Sequence, residues 1–303
     1  MAGRLVRALS IRPTSRLAQP AWKHPRYPPS SRPWIRAVPR CFHSTATIAS
    51  ASPELKKTLT PDLLESVHQL WFGHCEEENS LILPSQNELQ RWFRRDADFD
   101  KTCVAKFRPV LESILISEAS ATDILETINT ASPFSWLYTL ILLDQISRNC
   151  YRGSESKLVF TRFDPLANAI AMHASEKRIA SQSPELRYRL AYRMWFHLPL
   201  MHSEELKMHE KFLEQSEIMA TEIEELIGRD VGALSEDETK CHHVLSGQRD
   251  ELKKFLTMNI EFEKRHKVII ERFRRYPHRN EALGRTSTSE EVEYLENGGE
   301  TFG

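Results

Sequence analysis

Ser132-Pro133-Phe134-Ser135-Trp136-Leu137-Tyr138-Thr139-Leu140-Ile141-Leu142-Leu143-Asp144-Gln145-Ile146-Ser147-Arg148-Asn149 is the stretch whose reading decides the fold. Ser132 before Pro133 reads as an N-cap followed by proline at the first helical position. The run Trp136 to Leu143 is almost wholly apolar, so this helix belongs at the centre of the molecule. Asp144 and Arg148 stand four residues apart and continue the line of Leu137 and Ile141, which puts them on one helical face. A charge at the end of so apolar a helix is costly to bury unless it is paired. The polar end therefore marks an internal network or the wall of a pocket.

Working outward, Asp164-Pro165 and Ser183-Pro184 repeat the same device, each expected to open roughly 10–15 helical residues. Leu63, Leu64, Val67, Leu70 and Trp71 form a stripe that ends at Gly73, and Ser85-x-x-Glu88 is a capping box. A helix over about 97–117 carries Pro109, which is expected to kink or divide it. Long helices are expected from Ser203, as N-cap, to about Ile227, and over about 249–275 before Pro277. Thr288-x-x-Glu291 caps a short last one. Gly228, Gly232 and Gly247 with the acidic run Glu236-Asp237-Glu238 read as a surface loop or insertion. No period-2 strand pattern is convincing. The expected class is all-α, one domain over 54–303 built of stacked antiparallel helical hairpins, with a loop insertion at about 229–247.

The charge is divided along the chain. Residues 1–53 hold eight Arg, one Lys and no acid, a charge of +9, against −10 for residues 54–303. An acid-free leader rich in Arg and Ser is expected to be a mitochondrial transit peptide, disordered over 1–49 and removed on import to the matrix. Arg40-Cys41-Phe42-His43-Ser44-Thr45 resembles a two-step matrix-processing pattern, ending near Ala49. The acidic remainder argues against nucleic acid as a partner. No apolar run reaches the ~18–20 residues that span a bilayer, so no membrane partner is expected. Cys75, Cys103, Cys150 and Cys241 are scattered without a C-x-x-C pair, which leaves zinc ribbons and disulfide scaffolds unsupported.

Three segments carry the candidate chemistry. Asp144, Gln145, Arg148, Asn149 and Arg152 offer guanidinium forks to an anion, with Asp144 orienting one of them; the bland alternative is an internal ion pair. His202, Ser203 and Glu204 follow a proline-broken apolar segment. With no G-x-S-x-G elbow, Ser203 reads as a helix cap and His202 as a residue able to face a pocket. His278, Arg279, Asn280 and Arg285 crowd an irregular segment after a helix end, where basic groups also gain from the helix dipole. Glu65-x-x-His68 and Glu263-x-x-His266 have the spacing of di-iron ligands, but His266 on an apolar line reads better as a core histidine. No metal site is expected, and no cofactor or oligomeric state is indicated.

The chain also resembles the family catalogued as domain of unknown function 924. The resemblance runs over about 63–302 and rests on Trp71-Phe72-Gly73, Trp92-Phe93, Leu143-Asp144-Gln145 with Arg148-Asn149, and Tyr151-Arg152-Gly153. It continues through Asp164-Pro165-Leu166-Ala167, Leu198-Pro199-Leu200 with His202-Ser203-Glu204, Ile270-Glu271-Arg272-Phe273 and Pro277-His278-Arg279-Asn280. The resemblance implies a degenerate tetratricopeptide-like helical array and carries no established activity. Two functions then follow. One is a non-catalytic helical protein binding a small anion or an acidic peptide end. The other is a hydrolase- or lyase-like enzyme with His202 or His278 as general base and arginine clamps. In both, His202 and His278 are expected to charge as pH falls through about 6.5 and to strengthen anion binding.

Overall fold

The computed structural model describes residues 53–302; the expected presequence lies outside the described residues. Nine helices carry the architecture: α1 (Pro61–Phe72), α2 (Gln86–Phe93), α3 (Ala97–Ile116), α4 (Pro133–Ile141), α5 (Asp164–Glu176), α6 (Leu206–Gly228), α7 (Glu236–Gly247), α8 (Arg249–Phe273) and α9 (Ser289–Glu296). Shorter turns connect them, and no strand occurs among the described residues. The all-α reading holds. Helix α4 is buried along almost its whole length, with Leu137, Leu140 and Ile141 fully inaccessible. It packs on α1 and α5, which makes it the spine that its apolar run demands.

The helix starts follow local chemistry where it is strongest. Ser85 with Glu88 and Thr288 with Glu291 form complete capping boxes. Pro109 does not divide α3, which runs unbroken through it. Burial of Cys103, Phe107, Val110, Leu111 and Ile114 on one face outweighs the ~3 kcal/mol that an interior proline costs. Ser183-Pro184 opens only the single turn Pro184–Arg187, because the chain through 179–201 is broken into short buried turns.

Two expectations are corrected here. The segment 229–247 is not a loop, since α7 fills its second half. The acids Glu236, Asp237 and Glu238 form that helix's first turn behind a Ser235–Glu238 capping box, where they meet the positive end of the dipole. The helix also buries Cys241 and Leu245 and sends Asp237 to Arg189. Ser203 is not the N-cap of α6, which begins after Glu205. Its hydroxyl instead accepts from the Glu205 N–H at 3.1 Å.

Helices α6 and α8 lie antiparallel. Early α6 meets late α8 through His209 and Glu263 at 2.7 Å, and late α6 meets early α8 through Glu224 and Arg249 at 2.9 Å. Glu263 thus pairs across the helices with His209 rather than with His266. The hydrogen bonds of His209 fix the proton count. Its Nε2 faces the Ser203 carbonyl at 2.9 Å, which can only accept, so Nε2 donates. The contact from Nδ1 to Glu263 Oε1 then needs a second proton, on either the ring or the carboxyl.

Burial pushes the Glu263 carboxyl up, and His209 only partly offsets it. A raised carboxyl favours the fold fully below the ordinary value of about 4.3 and loses that contribution as pH rises through the folded value. Stability against denaturant is therefore expected to decline as pH rises from about 4.3 to the raised folded value, and to show no further change from this group above it. Glu263→Gln, which keeps a donor toward Nδ1, is expected to flatten the decline without unfolding the protein. A pH–stability profile unchanged by the substitution would place the proton elsewhere.

Candidate functional site

The polar end of the central helix is shaped by its backbone. After α4 the chain makes a π-helical turn over Leu142–Ile146, and a second π turn over Val159–Phe163 leads into α5. One turn places Asp144 and the other delivers Asp164, so both buried acids are set by wide turns of the kind that often mark functional sites. Arg148 lies between them. Its Nη1 is 2.7 Å from Asp164 and 3.4 Å from Asp144, and donates to the Asp144 carbonyl at 2.5 Å. Arg279 reaches Asp164 at 3.4 Å from the other side and donates to the His202 carbonyl at 3.0 Å.

His202 completes the group. Its Nδ1 meets Asp144 Oδ1 at 2.6 Å, and Gln145 donates to Oδ2 at 2.5 Å. Burial alone would push the Asp144 carboxyl up, but the His202 ring, Arg148 and Gln145 together hold it below the usual range. The Arg148 guanidinium is disfavoured by burial and more than restored by Asp164 and Asp144. Burial and Arg148 lower the His202 imidazole beyond what Asp144 returns. The state that fits is an ionised Asp144 accepting from a neutral His202, with Nε2 left as the basic ring nitrogen.

Asp144, Asp164 and His202 bring their ligand atoms within 4.8 Å of one another, a spacing a metal ion could use. The charges argue against one. Arg148 and Arg279 already neutralise both carboxylates, and a dication would add uncompensated charge to a buried group.

Beside this network opens a cavity of about 650 Å³. Gln145, Arg148, Asn149, Arg152 and His202 line one side of it. Trp71 and Trp92 form an aromatic wall, tied together by the Trp92 indole donating to the Trp71 carbonyl at 2.6 Å and backed by Trp195. Met194, Leu198 and Met201 add apolar surface, and α8 contributes Phe262, Arg265 and His266. Arg94 and Arg95 stand at the end of α2, Phe93 and Met258 are exposed large apolar side chains of the lining, and Glu300 and Phe302 join it from the end of the described chain.

The structure divides the expected site residues. Asp144 sits directly behind the wall, holding His202. Arg152 keeps its position but takes Asp100 with two donors, at 3.1 and 3.0 Å, and Asn149 donates to the same carboxylate at 2.7 Å. Glu204, His278, Arg279, Asn280 and Arg285 do not line the cavity, which corrects the expectation of one pocket shared by both segments. Arg285 grips Glu204 at 2.9 and 2.8 Å, Glu204 also accepts the Tyr276 N–H, and Asn280 donates to Ser287 and Glu291. Glu204, through Arg285 and Tyr276, fastens the segment after α8 to the start of α6, while Asn280 ties it to α9. Burial, helped by Arg279, lowers His278 to about 4. Together with the lowered His202, this removes the expected charging near pH 6.5.

Several wall residues were not anticipated. In the sequence Trp71 belongs to an apolar stripe and Trp92 to the family resemblance, whereas Arg94, Arg95, Arg265 and Met258 belong to polar stretches that look like ordinary solvated helix surface. Asp164 was read as a helix-opening residue. The structure corrects that reading: the chain is helical without a break from Ser156, the Asp164-Pro165 pair only resumes α geometry after the π turn, and the carboxylate serves the buried network.

Comparison with known proteins places these features in a family. The model for bacterial proteins of unknown function, DUF924, matches residues 67–299. A solved structure of a protein of unknown function from Agrobacterium tumefaciens is similar at 24% identity with a TM-score of 0.50, covering 78% of this chain and 98% of that one. At that identity the likeness concerns the fold alone. No curated protein matches the chain.

Asp164 is expected to be the keystone of the buried charges. Asp164→Asn leaves two guanidiniums facing each other and should cost about 3–5 kcal/mol in denaturant unfolding. In an Arg148→Met background the same substitution should cost clearly less. Additive effects in that double-mutant cycle would show that the two side chains are not coupled.

Proposed function

The chain belongs to the DUF924 family of bacterial proteins of unknown function, and we propose that it binds a small organic anion with an apolar or aromatic portion in the cavity beside Asp144. One observation carries the reading. Arg94, Arg95, Arg148, Arg152 and Arg265 converge on a single cavity whose lining holds one acid, Glu300, in a domain that is otherwise strongly acidic. Clustered arginines in a recess raise the local concentration of anions, and the rings and methionines beside them suit an apolar body. The helical array, of the tetratricopeptide-like kind that the family resemblance implies, serves as scaffold. The partner is a free small molecule or the end of an acidic peptide.

A second reading gains from the 2.6 Å contact between His202 and Asp144. An imidazole held by a carboxylate through Nδ1 is oriented to act as a general base through Nε2, and its lowered basicity keeps it neutral and competent near neutral pH. In that reading the protein is a hydrolase- or lyase-like enzyme, with the arginines fixing the anionic end of the substrate. No serine or cysteine is among the residues of the wall, so the base would act on water or on a substrate proton.

The charge division of the chain supports a mitochondrial matrix location. The +9 leader precedes a −10 domain, the pattern expected of an imported precursor.

Calorimetric titration with small carboxylates and phosphates should show binding that weakens with salt. It should fall roughly tenfold or more in Arg94→Gln/Arg152→Gln, the loss expected for charge-assisted hydrogen bonds. Salt-insensitive binding, or none, would remove the anion reading. If the protein is an enzyme, His202→Gln should abolish turnover and keep binding, whereas turnover that survives this change would exclude His202 as the base. For location, a C-terminally tagged protein lacking residues 1–49 should lose the mitochondrial signal of the full chain; an unaltered distribution would refute import through this leader.

A further inference from the structure

The end of the described chain lies within the cavity it helps to line. After α9, Gly298 adopts a positive φ of 78° and the chain turns back along α8. Glu300 then places its carboxylate 2.9 Å from Arg265, whose guanidinium leans on the Phe262 ring at 4.8 Å. Two residues on, the Phe302 ring lies over His266 with centroids 3.5 Å apart and planes inclined by 19°. Phe262 and Tyr276 flank it at 5.8 and 6.3 Å. A carboxylate on an arginine and a ring stacked in an aromatic recess are thus already present, supplied from within.

We infer that Glu300 and Phe302 occupy, as an internal stand-in, a subsite for an aromatic carboxylate. The inference rests on the anion-binding reading of the cavity and narrows it to a ligand class. Two features make the segment a replaceable occupant. The Glu300–Arg265 pair is about half exposed on both sides, at 41% and 51%, and exposed pairs of this kind contribute little to stability. Few contacts hold the segment: besides the ion pair and the ring stack, the Tyr294 hydroxyl donates to the Glu300 carbonyl at 3.3 Å, the Gly299 N–H donates to the Tyr294 carbonyl at 2.8 Å, and His278 meets the Phe302 backbone. A free molecule carrying both groups competes for both contacts. The segment lowers that molecule's apparent affinity by the fraction of time it fills the subsite.

The test uses the full chain, with 3-phenylpropanoate as the matching probe and succinate as an anion without a ring. In Glu300→Gln/Phe302→Ala, 3-phenylpropanoate should bind at least about tenfold more tightly than in the wild type, while succinate changes by less than about threefold. Phe302→Leu, which keeps an apolar side chain over His266 but not the ring stack, gives a second reading if the double variant folds poorly. It should raise 3-phenylpropanoate affinity in the same direction by a smaller factor. If both probes bind the wild type and neither affinity responds to the substitutions, the stand-in is overturned while the anion pocket survives. If neither probe binds any of the proteins, the anion reading fails and the subsite with it.

Discussion

Arg148 held between Asp144 and Asp164 is the interaction on which the rest of the molecule turns. It joins the end of the central helix to the start of α5, and through Asp164 it reaches Arg279 beyond α8. Elements far apart in the chain are locked by charges that almost no water reaches. A buried group of this kind is not a cheap source of stability, because desolvating the ions offsets most of their attraction. Its effect is to make one arrangement of the helices much better than its neighbours, since any displacement strands a guanidinium or a carboxylate. The cavity inherits that definition: His202, Gln145 and Arg148 face it from positions fixed by the same network.

How far the sequence could anticipate this depends on which forces act locally. The apolar run from Trp136 to Leu143 and the four-residue spacing of Asp144 and Arg148 are local facts, and the central helix with its paired end was readable from them. The capping boxes at Ser85 and Thr288 were readable for the same reason. Asp164 was not, because its partners are brought by folding and its proline neighbour supplies a sufficient local explanation. The acidic run before Thr239 misled in the opposite direction. Acids are as much at home in the first turn of a helix as in a solvated loop, and only the Ser235 cap and the buried Cys241 and Leu245 separate the two cases.

The candidate site was half legible. Residues 144–152 and His202 were identified by unusual polarity beside apolar sequence, and they do meet. The segment 278–285 satisfied the same criterion and turned out to be fastening. Its arginine at 285 is matched by Glu204 and its asparagine donates to Ser287 and Glu291, so these two side chains are spent on fastening. Arg94, Arg95 and Arg265 posed the reverse problem. Exposed arginines on polar helices look alike in sequence whether they face open solvent or the mouth of a recess. Only the tertiary arrangement of α2 against α8 gives these their meaning.

The wide turn at Leu142–Ile146 has a consequence for how such a chain can change over time. A π turn is an α-helix carrying one residue too many, so losing a single residue there would yield a more regular helix with better hydrogen bonds. It would also rotate everything downstream by about 100°, because each residue advances the helix by that angle. Arg148 would swing away from Asp164, and Asn149 and Arg152 would leave Asp100. Single-residue length changes are ordinarily absorbed at helix ends and in connecting segments, but here the locally improved helix would be the globally misassembled one. The irregular turn therefore works as a frame-setting insertion, preserved against straightening by the side chains it puts in register.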